Sequence, residues 1–580
     1  FADIFAVKDW DFSLGDPVHA EPLPEPVPLA YNEADNEVVA ADRGPFPGLT
    51  QVFFSQRGEL VGSTMRFGIS LEPGERWSVR VDVTASTDGS ERQPELVARQ
   101  FGEELARVRA SLMSWNMRVP QLRASWTPLA AAFERSAADL AALRMRGGRP
   151  EGQLFAAGMP WFMAVFGRDT LITCLQTLLF GPELARNALR ALATLQASED
   201  DPEVDAEPGK IVHEVRTGKA TLSWFSRYYG TVDATPLFLV LLSEVWRWTD
   251  DAALVRALRE PALRALAWID QHGDVDGDGF VEYRKRSPHG LDNQSWKDSH
   301  DSQLFHDGRL AEAPIAPCEV QGYVFDAKRR LAELAREVWR DRELADRLEA
   351  EAAELRDRFD EAYWCDERGG FYALALDGEK RRVDSLSSNI GHLLWSGIVP
   401  PHRIEAVVDR LMGADLWSGW GVRTMSRADA GYSPLAYHDG TVWPHDNSLI
   451  AWGLARYNRW AEAQRIVRRL VEAAAHFDHE LPEVFAGFAR SETPFPIAYP
   501  TAAKPQAWAA ATPVLLVQVL LGLRPDHRRH ALESVAPPEL PSWAGALRLS
   551  GVRAFERLWN VVLTDGRVRI EEASPTDLVA

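Results

Sequence analysis

Cysteine is scarce in this chain of 580 residues, and its three copies stand far apart. Cys174, Cys318 and Cys365 lack the short spacings that metal-binding cysteines need. They indicate free thiols rather than a disulfide framework, which is typical of a reducing compartment. We therefore expect a cytoplasmic protein. The chain starts at Phe1 rather than Met, which leaves open what precedes it.

Long hydrophobic runs and an excess of basic charge are also missing. The most apolar run, from Thr512 to Leu523, is shorter than the roughly 18 residues of a membrane-spanning helix. The formal net charge is −20, whereas nucleic acids and anionic membranes bind basic faces. We therefore expect neither nucleic acid nor a membrane as a partner. The oligomeric state cannot be read from these features.

The composition that remains is that of a large globular protein, with 46% apolar and 26% charged residues. Its length predicts more than one domain. Alternating patterns near 51–56, 59–71 and 76–86 predict an N-terminal β-sandwich domain over 1–115, with a connecting helix near 95–113. Weaker alternation predicts a C-terminal extension over 526–580, whose short strands could rejoin the first domain's sheet.

Residues 116–525 are predicted to form a mainly α domain. Amphipathic and nearly all-apolar segments alternate through it, as two concentric rings of helices require. The pattern predicts an (α/α)6 barrel, with helices near 127–145, 168–180, 182–197, 233–248, 251–271, 319–338, 340–362, 385–396, 402–413, 444–457, 459–477 and 505–523.

Six polar, aromatic-rich loops precede the apolar helices. If those helices form the inner ring, all six loops meet at one end of the barrel and build a pocket there. The chain holds 21 Trp, and flat aromatic rings stack on the apolar faces of pyranose sugars. The pocket contents therefore indicate a carbohydrate ligand. The loops lie at 166–169, 229–236, 295–299 with 316–321, 383–389, 437–447 and 499–508.

Six motifs in or near these loops carry a family resemblance. FGRDT at 166–170, WKDS at 296–299 followed by CEVQ, GTVWPHDN at 440–447, and LPEVFAG at 481–487 followed by PQAW are its basis. They resemble the amylo-α-1,6-glucosidase half of bacterial glycogen-debranching enzymes, and also neutral invertases and the wider glucoamylase-like, six-hairpin glycosidase superfamily. The similarity covers most of residues 150–523, and the preceding β domain also resembles that of debranching-type proteins.

The resemblance implies roles for particular carboxylates. The aspartate of the W-x-D-(A/S) motif falls on Asp298 as general acid, and the glutamate of the PE(I/V)F-like motif falls on Glu483 as general base. Hydroxyl-binding residues of the innermost sugar subsite fall on Arg168, Asp169, Asp233 and Glu319. We further expect sugar contacts from side chains in or beside the same loops, namely Trp161, Trp296, Trp420, His438, Trp443 and Gln506.

The residue chemistry is compatible with these two roles. Trp296 beside Asp298 favours a raised carboxyl pKa, which keeps a general acid protonated. Glu483 lies in a loop between apolar residues, in a turn expected to be exposed, from which it could activate water. The two carboxyls of an inverting glycosidase stand roughly 6.5–9.5 Å apart, and two loops at one rim can supply that gap.

Plainer interpretations stay open for each residue. Asp298 could cap a helix or pair with Lys297, Glu483 could be a solvated loop carboxylate, and Arg168 with Asp169 could be an ion pair at a helix start. Asp301 is an alternative acid, and the alternative bases are Asp439 and Asp446.

One motif resembles a calcium loop. The segment 274–283, DVDGDGFVEY, places Asp274, Asp276 and Asp278 at alternate positions, with a glycine at position six. Lys285 stands where an EF-hand has its bidentate glutamate, so the segment is not an EF-hand. We expect no cofactor, and keep these three aspartates as weak calcium candidates.

The sequence thus predicts an inverting hydrolase that releases a terminal sugar, glucose in the first instance, from α-1,6-linked branches or short α-gluco-oligosaccharides. The alternatives are an invertase-like or other small-glycoside hydrolase, a glycoside phosphorylase, and a non-catalytic glycan-binding relative. A phosphorylase has no use for the Glu483 base, and a pure binder has no reason to keep both carboxylates. The exact sugar, the linkage and the leaving group cannot be read from the sequence.

Overall fold

The computed structural model describes residues 10–11, 16–17, 29–42, 48–86, 101–147, 152–216 and 225–573. The chain divides into two compact units, Phe1–Ser114 with Val215–Ser226, and Trp115–Glu214 with Arg227–Ala580. Across the described residues it is helix-rich with several small sheets. No helix among those residues is both long and apolar enough to cross a membrane.

The first unit contains an antiparallel sheet in the order β3-β4-β5-β8 and a hairpin of β6 and β7. The sheet contains two of the predicted strand segments, and the hairpin lies in the third, so their strand assignment is confirmed. A second sheet of the size that a sandwich requires is not among the described residues. The elements of this unit are β1 (Trp10–Asp11), β2 (Asp16–Pro17), β3 (Leu29–Asn32), β4 (Glu37–Asp42), β5 (Gly48–Phe54), β6 (Glu59–Val61), β7 (Thr64–Arg66), β8 (Val81–Ser86) and α1 (Phe101–Asn116).

The helices of the second unit follow the predicted segments closely. One difference is the segment predicted over 251–271, which is two helices with a break at Leu258. Pro261 lies in the first turn of the second of them, where its missing N–H costs no helical hydrogen bond. The helices are α2 (Thr127–Ala142), α3 (Gly167–Gln176), α4 (Glu183–Leu195), α5 (Ala234–Thr249), α6 (Ala252–Ala257), α7 (Arg259–Gln271), α8 (Cys318–Leu334), α9 (Arg342–Tyr363), α10 (Asn389–Ser396), α11 (Ile404–Met412), α12 (Pro444–Arg456), α13 (Trp460–Ala474) and α14 (Ala507–Leu520).

Six of these helices contact one another in a closed cycle, in the order α3, α5, α8, α10, α12, α14 and back to α3. They are nearly wholly buried; every residue of α14 is buried, for example. A second set packs on the outside, with α2 on α14, α4 on α3, α7 on α5, α9 on α8, α11 on α10 and α13 on α12. The outer helices keep a polar face, since α4 and α13 each bury only one side.

Short strands of the second unit connect the loops between the helices. They are β9 (Gln121–Ala124), β10 (Arg144–Gly147), β11 (Gly152–Phe155), β12 (Val165–Phe166), β13 (Glu214–Val215), β14 (Arg227–Tyr228), β15 (Ala316–Pro317), β16 (Ala375–Leu376), β17 (Arg382–Val383), β18 (Leu523–Asp526), β19 (Ala531–Ser534), β20 (Leu547–Ala554), β21 (Arg557–Thr564) and β22 (Arg567–Glu572).

The C-terminal strands form a sheet that differs from the prediction. Its order is β22-β21-β20-β9, all antiparallel, and β20 pairs with residues 121–124 rather than with the N-terminal sheet. The partner strand, β9, lies just before the outer helix α2, in the same compact unit. An edge-to-face contact between Trp126 and Trp543, 5.0 Å between ring centroids, adds to this pairing. Sequence alternation predicted the strands but carries no information on their partner.

Candidate active site

Arg168 is the centre of a polar cluster where three of the predicted loops meet. It lies in the first turn of α3 and is buried. Its Nη1 donates to Asp233 Oδ2 at 3.1 Å and to the Ser295 carbonyl at 3.1 Å, and its Nη2 donates to Asp298 Oδ2 at 2.9 Å. Thr231 Oγ1 donates to Asp233 Oδ1 at 2.5 Å. The structure therefore brings Arg168, Asp233 and Asp298 together, and Arg168 pairs with these two residues.

Burial changes the protonation of the Asp298 carboxyl. Its side chain is 28% exposed, and partial loss of hydration raises its pKa above the ordinary value of an aspartate. The Arg168 guanidinium opposes this shift but does not cancel it. The predicted direction of the Asp298 pKa is thus confirmed. Lys297 is not its partner, because the Lys297 ammonium donates to the Thr424 carbonyl at 2.6 Å.

Asp169 and Gln506 connect the first loop of the site to the last. Gln506 Nε2 donates to Asp169 Oδ1 at 3.3 Å, while Gln506 Oε1 accepts from the Ala509 N–H at the start of α14. Burial raises the pKa of Asp169 to about 7, against the opposing charge of Arg168. Both predicted residues therefore lie at the junction of α3 and α14.

Glu483 is buried, with 3% of its surface exposed, so the expectation of an exposed turn is wrong. Tyr437 Oη donates to its Oε1 at 2.7 Å, and the Ala503 N–H donates to its Oε2 at 2.8 Å. Burial, with a smaller contribution from the nearby charges of Asp169 and Asp298, raises the pKa of Glu483 to about 7. Glu483 therefore lies close enough to those two aspartates to feel their charge, and it is not a solvated loop carboxylate.

An aromatic cluster lies beside the acidic groups. Trp443 stacks on His438, with 5.0 Å between centroids and 17° between planes, and meets the edge of Trp296 at 5.7 Å. His438 Nδ1 lies 2.8 Å from the Ser299 hydroxyl, next to Asp298. Burial holds the pKa of His438 well below its usual range, so this ring is neutral. Three predicted residues, Trp296, His438 and Trp443, are thereby placed together.

The remaining predicted residues have different surroundings. Glu319 is fully buried in the first turn of α8, and burial raises its pKa. Trp161 is partly exposed, and its Nε1 donates to the Thr501 carbonyl at 3.2 Å, near the Glu483 loop. Trp420 packs instead against Arg490, 4.2 Å from its ring, and His476. None of these described contacts of Trp420 reaches the carboxylates, so the structure does not bring it to the site.

The alternative carboxylates have other partners. Asp446 Oδ1 lies 2.8 Å from His392 Nε2, whose other ring nitrogen lies 2.5 Å from Tyr323 Oη. Asp439 is buried with its pKa raised to about 7, mainly by burial, and Lys297 is the nearby positive charge. Neither makes a described hydrogen bond to Arg168 or Glu483.

Sequence reasoning missed two residues beside the carboxylates. Tyr437 opens the loop at 437–447, so its position was visible, but its hydrogen bond to Glu483 crosses to another loop. Trp508 stacks face to face on His445, 3.7 Å between centroids, below Trp443. Trp508 ends the predicted loop at 499–508 and the PQAW motif, but it was not named as a site residue.

The arrangement supplies what acid–base chemistry on a polar ligand requires. Two neighbouring carboxyl groups with raised pKa values, Asp298 and Glu483, come from separate loops. Their hydrogen-bonding partners differ, because a guanidinium holds one and a phenol with a backbone N–H holds the other. Such environmental differences allow one group to act as acid and the other as base.

Solved structures with the same fold are carbohydrate-active proteins by title. A structure titled "Sialidase" matches with a TM-score of 0.56 at 12% identity, over 94% of this chain and 51% of its own. A GH78 family rhamnosidase of Bacillus sp. GL1 matches with a TM-score of 0.53 at 15% identity, over 78% of this chain and 42% of its own. The GH63 mannosylglycerate hydrolase of Thermus thermophilus matches with a TM-score of 0.51 at 14% identity, over 67% of this chain and all of its own. This chain thus spans about half the length of the first two. No curated protein sequence matches it.

Residues 185–488, more than half of the chain, match the family model described as "Mannosylglycerate hydrolase MGH1-like glycoside hydrolase domain". The matched range contains Asp233, Asp298, Glu319 and Glu483, and stops short of Gln506. The chain belongs to this family of glycoside hydrolases.

Proposed function

We propose that this protein is an inverting glycoside hydrolase that removes the terminal sugar from a small α-glycoside. Its second unit would be an (α/α)6 barrel with the pocket at one end, preceded by a β-sandwich domain. The closed cycle of six inner helices, each flanked by an outer helix, supports the barrel. Three buried free cysteines and the net charge of −20 support a cytoplasmic enzyme whose partner is carbohydrate rather than nucleic acid or membrane.

The observation that carries the proposal is the pair of carboxyls with raised pKa values, Asp298 and Glu483, on separate loops. Asp298 is the general acid that protonates the glycosidic oxygen, since burial raises the pKa of its carboxyl and so favours the protonated form that an acid needs. Arg168 holds the same carboxyl in place and also binds Asp233. With Asp169 and Glu319, these residues provide donors and acceptors for the hydroxyls of the terminal sugar.

Glu483 is the general base that takes a proton from the attacking water. Tyr437 and the Ala503 N–H orient its two oxygens and stabilise the ionised form that a base needs. Trp443 and His438 stack on each other and Trp296 meets them edge-on, so the carboxyls lie beside an aromatic cluster that could contact the apolar face of a pyranose ring. In one step the water attacks the anomeric carbon as Asp298 protonates the leaving oxygen, so the configuration inverts.

Two candidate sugars follow from different observations. The motif resemblance favours glucose, released from α-1,6-linked branches or short α-gluco-oligosaccharides. The family match favours a second candidate, an α-glycoside of a small hydroxy acid, since the model carries the name of mannosylglycerate hydrolase. The buried Arg168 would suit either, because in this proposal it faces the sugar hydroxyls rather than the leaving group.

A panel of glycosides with the products separated by chromatography tests both candidates. We expect release of glucose or mannose without added phosphate, and NMR of the first-formed sugar should show the β anomer from an α-glycoside. Asp298→Asn should lower kcat by on the order of 100-fold or more on poor leaving groups and less on activated ones, while Glu483→Gln should fail on both. Asp301→Asn, at the alternative acid, should keep near-normal activity.

Other outcomes point elsewhere. A first-formed α anomer or a trapped covalent glycosyl-enzyme would contradict inversion. A requirement for inorganic phosphate would make the protein a phosphorylase. Binding of glycans without any turnover would leave the binding relative as the remaining interpretation.

A further inference from the structure

The loop at 274–283 does not fit a calcium ion, although its sequence offers three aspartates. Asp274, Asp276 and Glu282 each offer a carboxylate oxygen, and these atoms lie within 4.8 Å of one another. A positive group already lies among the carboxylates. The Lys380 ammonium is 2.7 Å from Asp276 Oδ2, 2.7 Å from Asp278 Oδ2 and 2.7 Å from Glu282 Oε2.

We propose that Lys380 is the resident cation of this carboxylate cluster and takes the place that a divalent metal would have in such a loop. An ammonium with three carboxylates at hydrogen-bond distance uses all three of its N–H donors. A calcium ion needs six to eight oxygen ligands from the same space, which the ammonium excludes by charge and by volume. The Lys380 ammonium therefore holds the carboxylates of this loop together without a metal ion.

The backbone of the loop is folded around these side chains. Asp274 Oδ1 accepts the Gly277 N–H at 2.7 Å and its Oδ2 accepts the Gly279 N–H at 2.7 Å. Asp278 Oδ1 accepts the Phe280 N–H at 2.9 Å. The carboxylate oxygens that remain turn toward the Lys380 ammonium, as ligands turn toward an ion in a metal loop.

Glu282 is the buried member of the cluster. Its side chain is fully buried, yet its Oε1 has no hydrogen-bond partner, and its Oε2 contacts only the Lys380 ammonium. An unpaired carboxylate in this position costs free energy, so removing the ammonium leaves a buried charge that a divalent cation could neutralise.

Lys380 has a backbone conformation that is unfavourable for a residue with a side chain. It occupies the tip between β16 and β17 with φ of 59°, in the left-handed region that favours glycine. Its N–H donates to the Asp377 carbonyl at 2.8 Å, which closes the turn. A lysine at such a position is explained by its side chain, which joins the β16–β17 turn to the loop at 274–283.

This junction lies one hydrogen-bond relay from the site. Tyr283, next to Glu282, donates its hydroxyl to Asn293 Oδ1 at 2.6 Å, and Asn293 Nδ2 donates to the Ser299 carbonyl at 2.8 Å. Ser299 follows Asp298. The inference itself does not depend on the proposed function, because it concerns the fold of the loop.

Thermal unfolding of the full chain in excess EDTA and in millimolar calcium chloride tests the proposal. For the natural sequence we expect the same midpoint of thermal unfolding in EDTA and in calcium chloride. Isothermal titration calorimetry with calcium should show no heat of binding. Lys380→Met should lower the midpoint by several degrees in EDTA, and calcium should restore part of the loss. Lys380→Met combined with Glu282→Gln should show no such recovery.

Lys328→Met is a matched control. Lys328 also joins two carboxylates of separate elements, Asp270 and Glu351 at 2.8 Å each, but without an aspartate-rich loop. This variant should lose stability with no response to calcium.

Three results would overturn the proposal. The first is a calcium-dependent midpoint in the natural sequence that Asp276→Asn abolishes. The second is a Lys380→Met chain as stable as the original in EDTA, and the third is a destabilised Lys380→Met chain that calcium does not help. The calcium titration of the natural sequence decides the question even where the variant does not fold.

Discussion

Arg168 contacts two carboxylates that the proposed chemistry needs in different states. Asp233 stays an acceptor for Thr231 and Arg168, whereas Asp298 must be protonated before it can donate to a leaving oxygen. A guanidinium at 2.9 Å favours the ionised Asp298, yet burial raises its pKa overall. Sugar hydroxyls that accept from Arg168 would weaken this ion pair, and the proton would then be easier to hold.

The pH dependence follows from the base. The pKa of Glu483 is raised to about 7 by burial, and a general base works only in its ionised form. For an uncharged substrate, kcat/KM should therefore fall about tenfold per pH unit as the pH drops below about 7. Tyr437→Phe removes a donor to the ionised carboxylate, so the pKa should rise, by roughly one unit for one hydrogen bond to a charge. The acidic limb of the profile should move to higher pH.

Tyr499→Phe is the control for that shift. Its ring lies 5.6 Å from that of Tyr437, but the described hydrogen bonds of Glu483 do not include it. Its acidic limb should stay in place. An unchanged limb in Tyr437→Phe, or an equal shift in both variants, would argue against Glu483 as the group that titrates.

At this scale the sequence predicted residue types better than partners. Arg168, Asp169, Asp233 and Glu319 were predicted as hydroxyl-binding residues of one subsite by the family resemblance, and Gln506 as a further contact from a neighbouring loop. The Arg168–Asp298 pair joins residues 130 positions apart, and local patterns carry no information at that range. Glu483 was predicted in an exposed turn, since flanking Pro and Phe do not reveal that the 499–508 loop covers it.

The helices were the most predictable elements. An inner helix must be apolar all round and an outer helix on one face only, so α5 and α7 could be told apart from their sequences. Helix starts were less certain, as α10 begins at Asn389 rather than near 385. The residues before it are held by other contacts: the Leu386 N–H donates to Asp429 Oδ2 at 2.8 Å, and the Ser387 hydroxyl donates to Asn389 Oδ1 at 3.1 Å. Periodicity does not register such side-chain bonds.

Gly453 lies where α12 packs closely against α10, so a substitution there tests how tightly these two helices of the six-helix cycle are packed. A methyl group there would lie 2.5 Å from the Trp395 backbone nitrogen, and backbone cannot move aside as a side chain can. Alanine normally favours a helix over glycine by about 1 kcal/mol. Overpacking should reverse that sign, so Gly453→Ala should lower the free energy of unfolding by about 1–3 kcal/mol.

Chemical denaturation measures this difference. Gly68→Ala is the control, because Gly68 has no neighbour within 4 Å of an added methyl group. That variant should be neutral to within about 0.5 kcal/mol. A Gly453→Ala chain as stable as the original, or more stable, would mean that the two helices can separate at low cost.

On the scale of the whole molecule, the C-terminal sheet connects the start of the outer helix α2 to the end of the inner helix α5. Ser125 donates its N–H to the Ala546 carbonyl at 2.8 Å, just before α2 begins, and Phe555 donates to the Trp248 carbonyl at 2.8 Å at the end of α5. Four residues of β20 pair with β9 across more than four hundred positions of sequence. Sequence alone could not predict this arrangement, because alternation does not specify which strand is the partner.

Removing residues 537–580 should therefore weaken a region far from the carboxylates. The shortened chain loses the pairing of β9 and the buried face of β20, which includes Leu547, Leu549 and Val552. We expect a lower thermal midpoint and loss of glycosidase activity at temperatures the full chain tolerates, since α2 packs on α14 and α14 follows the loop that holds Glu483. Arg567→Ala, at an exposed position of the outer strand β22, should change neither quantity. A shortened chain with the original midpoint and full activity would show that the helical cycle is stable without the sheet.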